Sequence, residues 1–245
     1  MTAAARWIRR FHPSPGSDVQ VVCFPHAGGT ASYYHPLSAA LAPAAEMLAV
    51  QYPGRQDRFD EPLIDDLSLL ADRTAEALGG GDRPRVFFGH SMGAVMAFEV
   101  ARRLGRGGPV ALFVSGRRAP STTRLETAHL LGDDELVALA EMLGGSDPEV
   151  LRHEELRGLI LPSLRADYRA VCTHSPDGEA RLAVPITALT GDADPVTSVA
   201  EAEAWGRHTT SRFELKVFPG GHFFLAGHVP EIARMILGSV RAVHA

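Results

Sequence analysis

Short apolar runs alternate along the chain with longer stretches whose apolar positions recur at helical spacing. The short runs are Val19–Phe24, Met47–Gln51, Arg85–Phe88, Val110–Ser115, Ile186–Thr190 and Phe213–Phe218. Most are apolar nearly throughout, as strands are when helices cover both faces of a parallel sheet. Ser32–Leu41, Leu67–Leu78, Met92–Leu104, Val199–Trp205 and Pro230–Val240 fit the intervening helices. The stretches Gly79–Gly81 and Gly105–Gly108 supply stops for two of them. Strand and helix in alternation predict an α/β architecture around a mostly parallel sheet.

One interval breaks the rhythm. About seventy residues separate the strand ending near Ser115 from the one beginning near Ile186, far more than a simple connection needs. Helices are expected at Asp133–Leu143 and at Pro148–Leu161 with a continuation through Tyr168. Leu136, Leu139, Leu143, Leu156, Leu159, Ile160 and Leu164 would give them an apolar face. The expectation is a single domain over residues 1–245 with a helical lid inserted at 118–180, since long structured insertions usually serve function.

Composition narrows the setting. A chain of 245 residues suffices for one α/β domain with a sizeable core. A formal net charge of −5 with scattered arginines leaves no basic footprint for nucleic acid. Two cysteines, Cys23 and Cys172, are too few for a disulfide framework and lack metal-ligand spacing. Cys23 fits a small core residue. The first ten residues carry positive charge but no apolar run follows, and no stretch reaches the ~18 apolar residues of a membrane span. A soluble cytoplasmic enzyme with no membrane attachment is expected.

The candidate chemistry centres on Gly89-His90-Ser91-Met92-Gly93. The string alone is only suggestive, but a strand precedes it and a helix follows, the setting that the nucleophile elbow G-x-S-x-G requires. A serine hydroxyl needs a base, and the base needs an orienting carboxylate. In this arrangement the chain order is serine, then acid, then histidine. Among eleven histidines, His222 follows the last strand directly, flanked by glycines that let its loop turn back. His208 and His228 are expected at the surface. For the acid, the strand Ile186–Thr190 runs into Gly191-Asp192-Ala193-Asp194-Pro195. Both aspartates are possible; the spacing and the following proline favour Asp194, leaving Asp192 as a turn residue. Two N–H donors must face the developing oxyanion. Met92 supplies one, and the loop after Val19–Phe24 the other, from Ala27 in preference to His26. His26 is either a second catalytic base or an ordering residue of that loop, with loop ordering favoured because one base already completes the triad.

These residues resemble those of the type II, or external, thioesterases that accompany modular polyketide synthases and nonribosomal peptide synthetases. The likeness covers nearly the whole chain. It rests on Cys23-Phe24-Pro25-His26-Ala27-Gly28-Gly29, on Tyr52-Pro53-Gly54-Arg55 with Arg58, and on the elbow. It continues through Leu161-Pro162-Ser163-Leu164-Arg165-Ala166-Asp167-Tyr168, then Gly191 to Pro195, then Gly220-Gly221-His222-Phe223-Phe224. Vertebrate medium-chain fatty-acid thioesterases share the pattern. The resemblance implies an α/β-hydrolase fold and a discrete, monomeric enzyme without a cofactor. It also implies a mobile lid over an acyl chamber. Its substrate would be an acyl group on the phosphopantetheine arm of an acyl carrier or peptidyl carrier protein, removed when aberrant or stalled.

Carrier proteins are acidic where they dock, so a basic patch is expected near the pocket mouth. Arg55, Arg58, Arg117 and Arg118 are candidates, against the equal alternative of solvated surface arginines or internal salt bridges. Tyr33 and Tyr34 either line the chamber or pack a helix, with packing favoured. Phe223 and Phe224 either cover His222 or meet the pantetheine arm. A general esterase or lipase, and a silent carrier-binding module, are the competing functions; an acyltransferase or cyclase is a third.

Overall fold

The computed structural model describes residues 6–145, 149 and 153–243. Seven strands form one sheet in the order β1-β3-β2-β4-β5-β6-β7. They are β1 (Ile8–Arg9), β2 (Gln20–Phe24), β3 (Glu46–Val50), β4 (Arg85–His90), β5 (Ala111–Ser115), β6 (Ile186–Gly191) and β7 (Phe213–Phe218). Only β1 runs antiparallel, pairing Ile8 with Val50 at the edge. Its two residues are too short to leave a periodic signal, and the sequence reading has no strand there.

Strand residues alternate between two cores because successive side chains leave a strand on opposite faces. Val22, Phe24, Leu48, Val50, Phe87 and Leu112 meet α2 (Leu67–Leu78) and α3 (Met92–Leu104) on one side. Val21, Cys23, Met47, Ala49, Phe88 and Phe113 meet α1 (His35–Leu41) and α7 (Val229–Val243) on the other. This double covering is why β2 through β5 are apolar at nearly every position. Gly79 and Gly105, at φ 52° and 53°, end α2 and α3 as expected. A short 3-10 turn, Ala31–Tyr34, replaces the first turn expected of α1. The α6 helix (Val199–Glu203) passes likewise into a 3-10 turn, Ala204–His208.

Between β5 and β6 lie α4 (Asp133–Leu143) and α5 (Glu154–Thr173). The two segments expected around Leu161 are one helix running through Pro162. The expected start at Pro148, with residues 150–152, lies outside the described residues. The buried face also differs from the expected one. Leu136, Val137, Ala140 and Leu164 form a small separate core, whereas Leu156 and Leu159 face outward, 40% and 52% exposed. Helical period alone could not tell which stripe meets the sheet. No helix among the described residues is long and apolar enough to cross a membrane.

Candidate active site

Loops leaving the C-terminal ends of β2, β3, β4, β6 and β7 converge at one end of the sheet, where parallel α/β folds bind ligands. Ser91 sits between β4 and α3 at φ 55°, ψ −120°, a backbone conformation that is costly for a residue with a side chain. Its N–H donates to the Ser115 carbonyl at 2.8 Å, tying the elbow to β5. The flanking glycines are sterically required. A Cβ on Gly89 would lie 1.9 Å from the Gly93 carbonyl oxygen, and one on Gly93 1.9 Å from that of Phe24.

His222 and Asp194 meet from separate loops: His222 Nδ1 and Asp194 Oδ2 are 2.8 Å apart, with the carboxyl fully buried and the ring almost so. Asp194 Oδ1 accepts the N–H groups of Val196 and Thr197 at 2.9 and 3.2 Å, which aims the other oxygen at the imidazole. Asp192 is exposed and accepts the Gly220 N–H at 2.9 Å, pinning the histidine loop to the end of β6. The two aspartates, alternatives in the sequence, therefore have separate tasks.

Ser91, His222, His26, Ala27 and Phe223 line one cleft, roofed by Ala140 and Leu143 of α4, by Gly145 beyond it, and by Leu164 and Tyr168 of α5. Met92 is the first residue of α3, where an N–H has no partner within the helix. In the facing loop the Gly28 N–H donates to Asp167 and the Gly29 N–H to the His26 carbonyl. Ala27 has neither use for its own amide.

His26 and His90 flank the pair without joining it. His26 is buried against Tyr33 and Phe223, with ring centroids 4.7 and 4.8 Å away, and its Nδ1 has no partner. Burial, helped by His222 and Arg55, lowers its pKa to about 3. His90 bonds Ser115 Oγ at 3.0 Å, and its ring lies 4.9 Å from that of His222. Burial, then His222 and His26, holds it well below its ordinary value. Both rings are neutral at pH 7; His26 packs on Tyr33 and Phe223, and its carbonyl accepts the Gly29 N–H. Tyr34 is buried and donates to the Phe24 carbonyl at 2.7 Å, and Tyr33 packs on His26; neither lines the cleft. Phe223 stands edge-on to His222 at 5.2 Å, while Phe224 turns inward and stacks on Phe218.

One expectation is corrected and one open choice is decided. His208 is fully buried: its Nε2 accepts from the Ser121 N–H at 3.1 Å and its Nδ1 donates to the Ala180 carbonyl at 2.8 Å. The strand-edge position suggested exposure, but the 117–126 loop folds over it. The four arginines offered as a basic patch all have acidic partners. Arg55 is buried against Asp167, Arg58 bonds Glu61 and covers the Trp7 ring, and Arg117 and Arg118 share Glu126. Arg55 and Asp167 both belong to the strings quoted above, but no local pattern showed that they meet.

The sheet order, the strained serine between strand and helix, and the carboxylate–histidine pair beyond it are those of the α/β-hydrolase fold. The chain belongs to the thioesterase family: the family model described as "Thioesterase domain" matches residues 19–240. It is 53% identical over 232 residues to the "Probable cadicidin biosynthesis thioesterase" of Streptomyces griseus, covering 94% of this chain and 64% of that protein's length. It is 46% identical to thioesterase PikA5 of Streptomyces venezuelae, covering 94% of this chain and 84% of that one. Among solved structures it resembles the type II thioesterase BorB from the borrelidin biosynthetic cluster. That match has a TM-score of 0.88 at 46% identity, covering 96% of this chain and 97% of the other.

Proposed function

We propose that the protein is a type II thioesterase that hydrolyses acyl groups from the phosphopantetheine arm of carrier proteins in polyketide or nonribosomal peptide assembly. The observation that carries this reading is the 2.8 Å contact between His222 Nδ1 and Asp194, in a cleft that Ser91 also lines. The similarity to biosynthetic thioesterases supports the substrate class.

Ser91 is the nucleophile, His222 the base, and Asp194 the group that fixes the imidazole tautomer and stabilises its charged form. His222 Nε2 takes the hydroxyl proton as Ser91 Oγ bonds to the thioester carbonyl carbon. The carbonyl π electrons move to oxygen, where the Ala27 and Met92 N–H groups receive the charge. The intermediate collapses to the acyl-serine as the C–S bond breaks and the proton on His222 passes to the departing sulfur, which leaves the imidazole neutral again. The departing sulfur belongs to a thiol of pKa ~8.5, so it needs far less protonation than an amine would. His222 then takes a proton from water, hydroxide adds to the ester, and the acid leaves as the proton returns to Ser91.

As described, the cleft holds a cavity of about 20 Å³, enough for a water molecule and little else. An acyl chain would find room by displacing the α4 side of the roof, Ala140 to Gly145, while the inner turn of α5 stays seated, which is the lid role proposed for residues 118–180. The decisive experiment compares acyl-carrier proteins of increasing chain length with matched p-nitrophenyl esters, using wild type and Ser91→Ala. Carrier-thioester hydrolysis that disappears in Ser91→Ala is expected. Ester hydrolysis without carrier-thioester hydrolysis would make the protein a general esterase.

A further inference from the structure

A buried ion pair lies directly behind the cleft, among groups the mechanism does not use. Asp167 on α5 has no exposed surface, and Arg55, after β3, is 6% exposed. Arg55 Nη1 donates to Asp167 Oδ2 at 2.6 Å and Nη2 to Oδ1 at 2.9 Å. The same Oδ2 accepts the Gly28 N–H at 2.7 Å, and the same Nη1 donates to the Gly29 carbonyl at 3.1 Å. Each partner thus holds one peptide group of the loop that carries Ala27.

A buried ion pair is an inefficient way to stabilise a fold, because desolvation offsets most of its attraction. What it gives that an apolar pair cannot is direction. Asp167 fixes the peptide plane joining Ala27 to Gly28, and Arg55 fixes the orientation of the next carbonyl but one. The Ala27 N–H is one rotatable residue away from that clamped plane. The clamp also reaches the roof. One turn before Asp167, Leu164 presses on Gly28 so closely that a Cβ there would lie 2.7 Å from its Cδ1, and Tyr168, the next residue, lines the cleft.

We propose that the Arg55–Asp167 pair is a positioning device for the oxyanion-binding loop, coupling the alignment of the Ala27 N–H to the seating of α5 over the cleft. This rests on the hydrolase reading above. Neither residue touches the reacting atoms; both act through the backbone of residues 27–29. An acyl group that lifts the inner turn of α5 is therefore hydrolysed slowly even when it binds.

The test uses Asp167→Ala, Asp167→Asn and Arg55→Lys with a short acyl N-acetylcysteamine thioester, and with a p-nitrophenyl ester and its thiono analogue. An aligned pair of N–H donors favours the small, hard oxyanion over a thiolate-like sulfur. The oxygen-to-sulfur rate ratio therefore reports alignment, which general loosening of the fold does not change selectively. Asp167→Ala is expected to lower kcat about 100-fold with KM within about threefold, and to shrink the oxygen-to-sulfur ratio about tenfold. Asp167→Asn, near-isosteric and retaining an oxygen for the Gly28 N–H, should fall between Asp167→Ala and wild type on both measures. Arg55→Lys should do the same. Circular dichroism and Tm establish that Asp167→Asn and Arg55→Lys are folded, so the test does not depend on the alanine variant. Wild-type kcat and ratio in the folded variants, or a reduced kcat with an unchanged ratio, would overturn the proposal. A wild type inert on every substrate would instead remove the hydrolase reading, and the proposal with it.

Discussion

The elbow and the loop that faces it are built in opposite ways. From Arg85 to Leu104 the elbow is one covalent unit of strand, strained serine and helix, held by backbone contacts and by two glycines. The loop at 24–29 is fixed from outside: Tyr34 and Tyr52 donate to its Phe24 and Pro25 carbonyls, and Asp167, 139 residues away, accepts from Gly28. A nucleophile has only to be presented, which local geometry achieves. An oxyanion site needs two N–H groups from different loops to converge within a few tenths of an ångström, and only long-range groups can impose that.

The largest expected effect breaks the comparison where its halves touch. Gly93→Ala places a methyl group 1.9 Å from the Phe24 carbonyl oxygen and 2.8 Å from that of Pro25, backbone that cannot step aside. It should destabilise by more than ~3 kcal/mol or prevent folding, read by denaturant unfolding. Gly89→Ala, whose clash is internal to the elbow, should be as severe.

Next in size, Arg55→Ala leaves the Asp167 carboxylate buried without its partner, which should cost about 3–5 kcal/mol in the same measurement. The double variant Arg55→Leu/Asp167→Leu should recover much of that stability while kcat stays low. Recovery of both would mean that the loop needs only packing, as the elbow does.

A smaller effect concerns acid. His26 protonates at about 3 in the folded protein and at an ordinary 6.5 when exposed. Between those values the unfolded chain binds the extra proton, so stability is complete above 6.5 and falls as the pH drops toward 3. The slope contributed is up to ~1.4 kcal/mol per pH unit for one proton. Replacing His26 with Asn should reduce the slope between about pH 5 and 6.5 by that amount, leaving the part that buried His90 contributes in the same window. Glu126 adds a separate loss at lower pH: burial would raise its pKa, but Arg118 and Arg117 bring it down to about 2. Its contribution fades as the pH falls from 4.5 toward 2.

The smallest effect separates the two aspartates. Asp192→Ala removes one exposed hydrogen bond to the Gly220 N–H and should cost about 1 kcal/mol or less, with kcat changed only a few-fold. A loss as large as that of Asp194→Ala would show that pinning the histidine loop matters as much as orienting its ring.

Much of this was legible before any coordinates. The apolar runs gave six of the seven strands, and α2, α3 and α4 have the bounds expected of them, because burial on both faces and glycine stops leave local traces. The serine, the histidine and the preferred aspartate were each placed by a motif next to a strand end. The same kind of reasoning put His208 at the surface and left Arg55 open between a docking patch, a solvated surface and an internal salt bridge. A residue's neighbours in sequence do not say whether a distant loop will cover it or an acid will reach it.

The sequence by itself determined the alternation of strand and helix and the elbow, both of which depend on interactions among residues near in the chain, and it placed Ser91, Asp194 and His222 beside strand ends. Tertiary structure alone decided that Asp192 holds the loop while Asp194 holds the ring, that His26 and His90 are buried and neutral, and that Arg55 and Asp167 meet. Those outcomes turn on burial and on contacts between segments far apart in the chain, 112 residues in the case of Arg55 and Asp167, and such contacts are fixed by the packing of the whole chain.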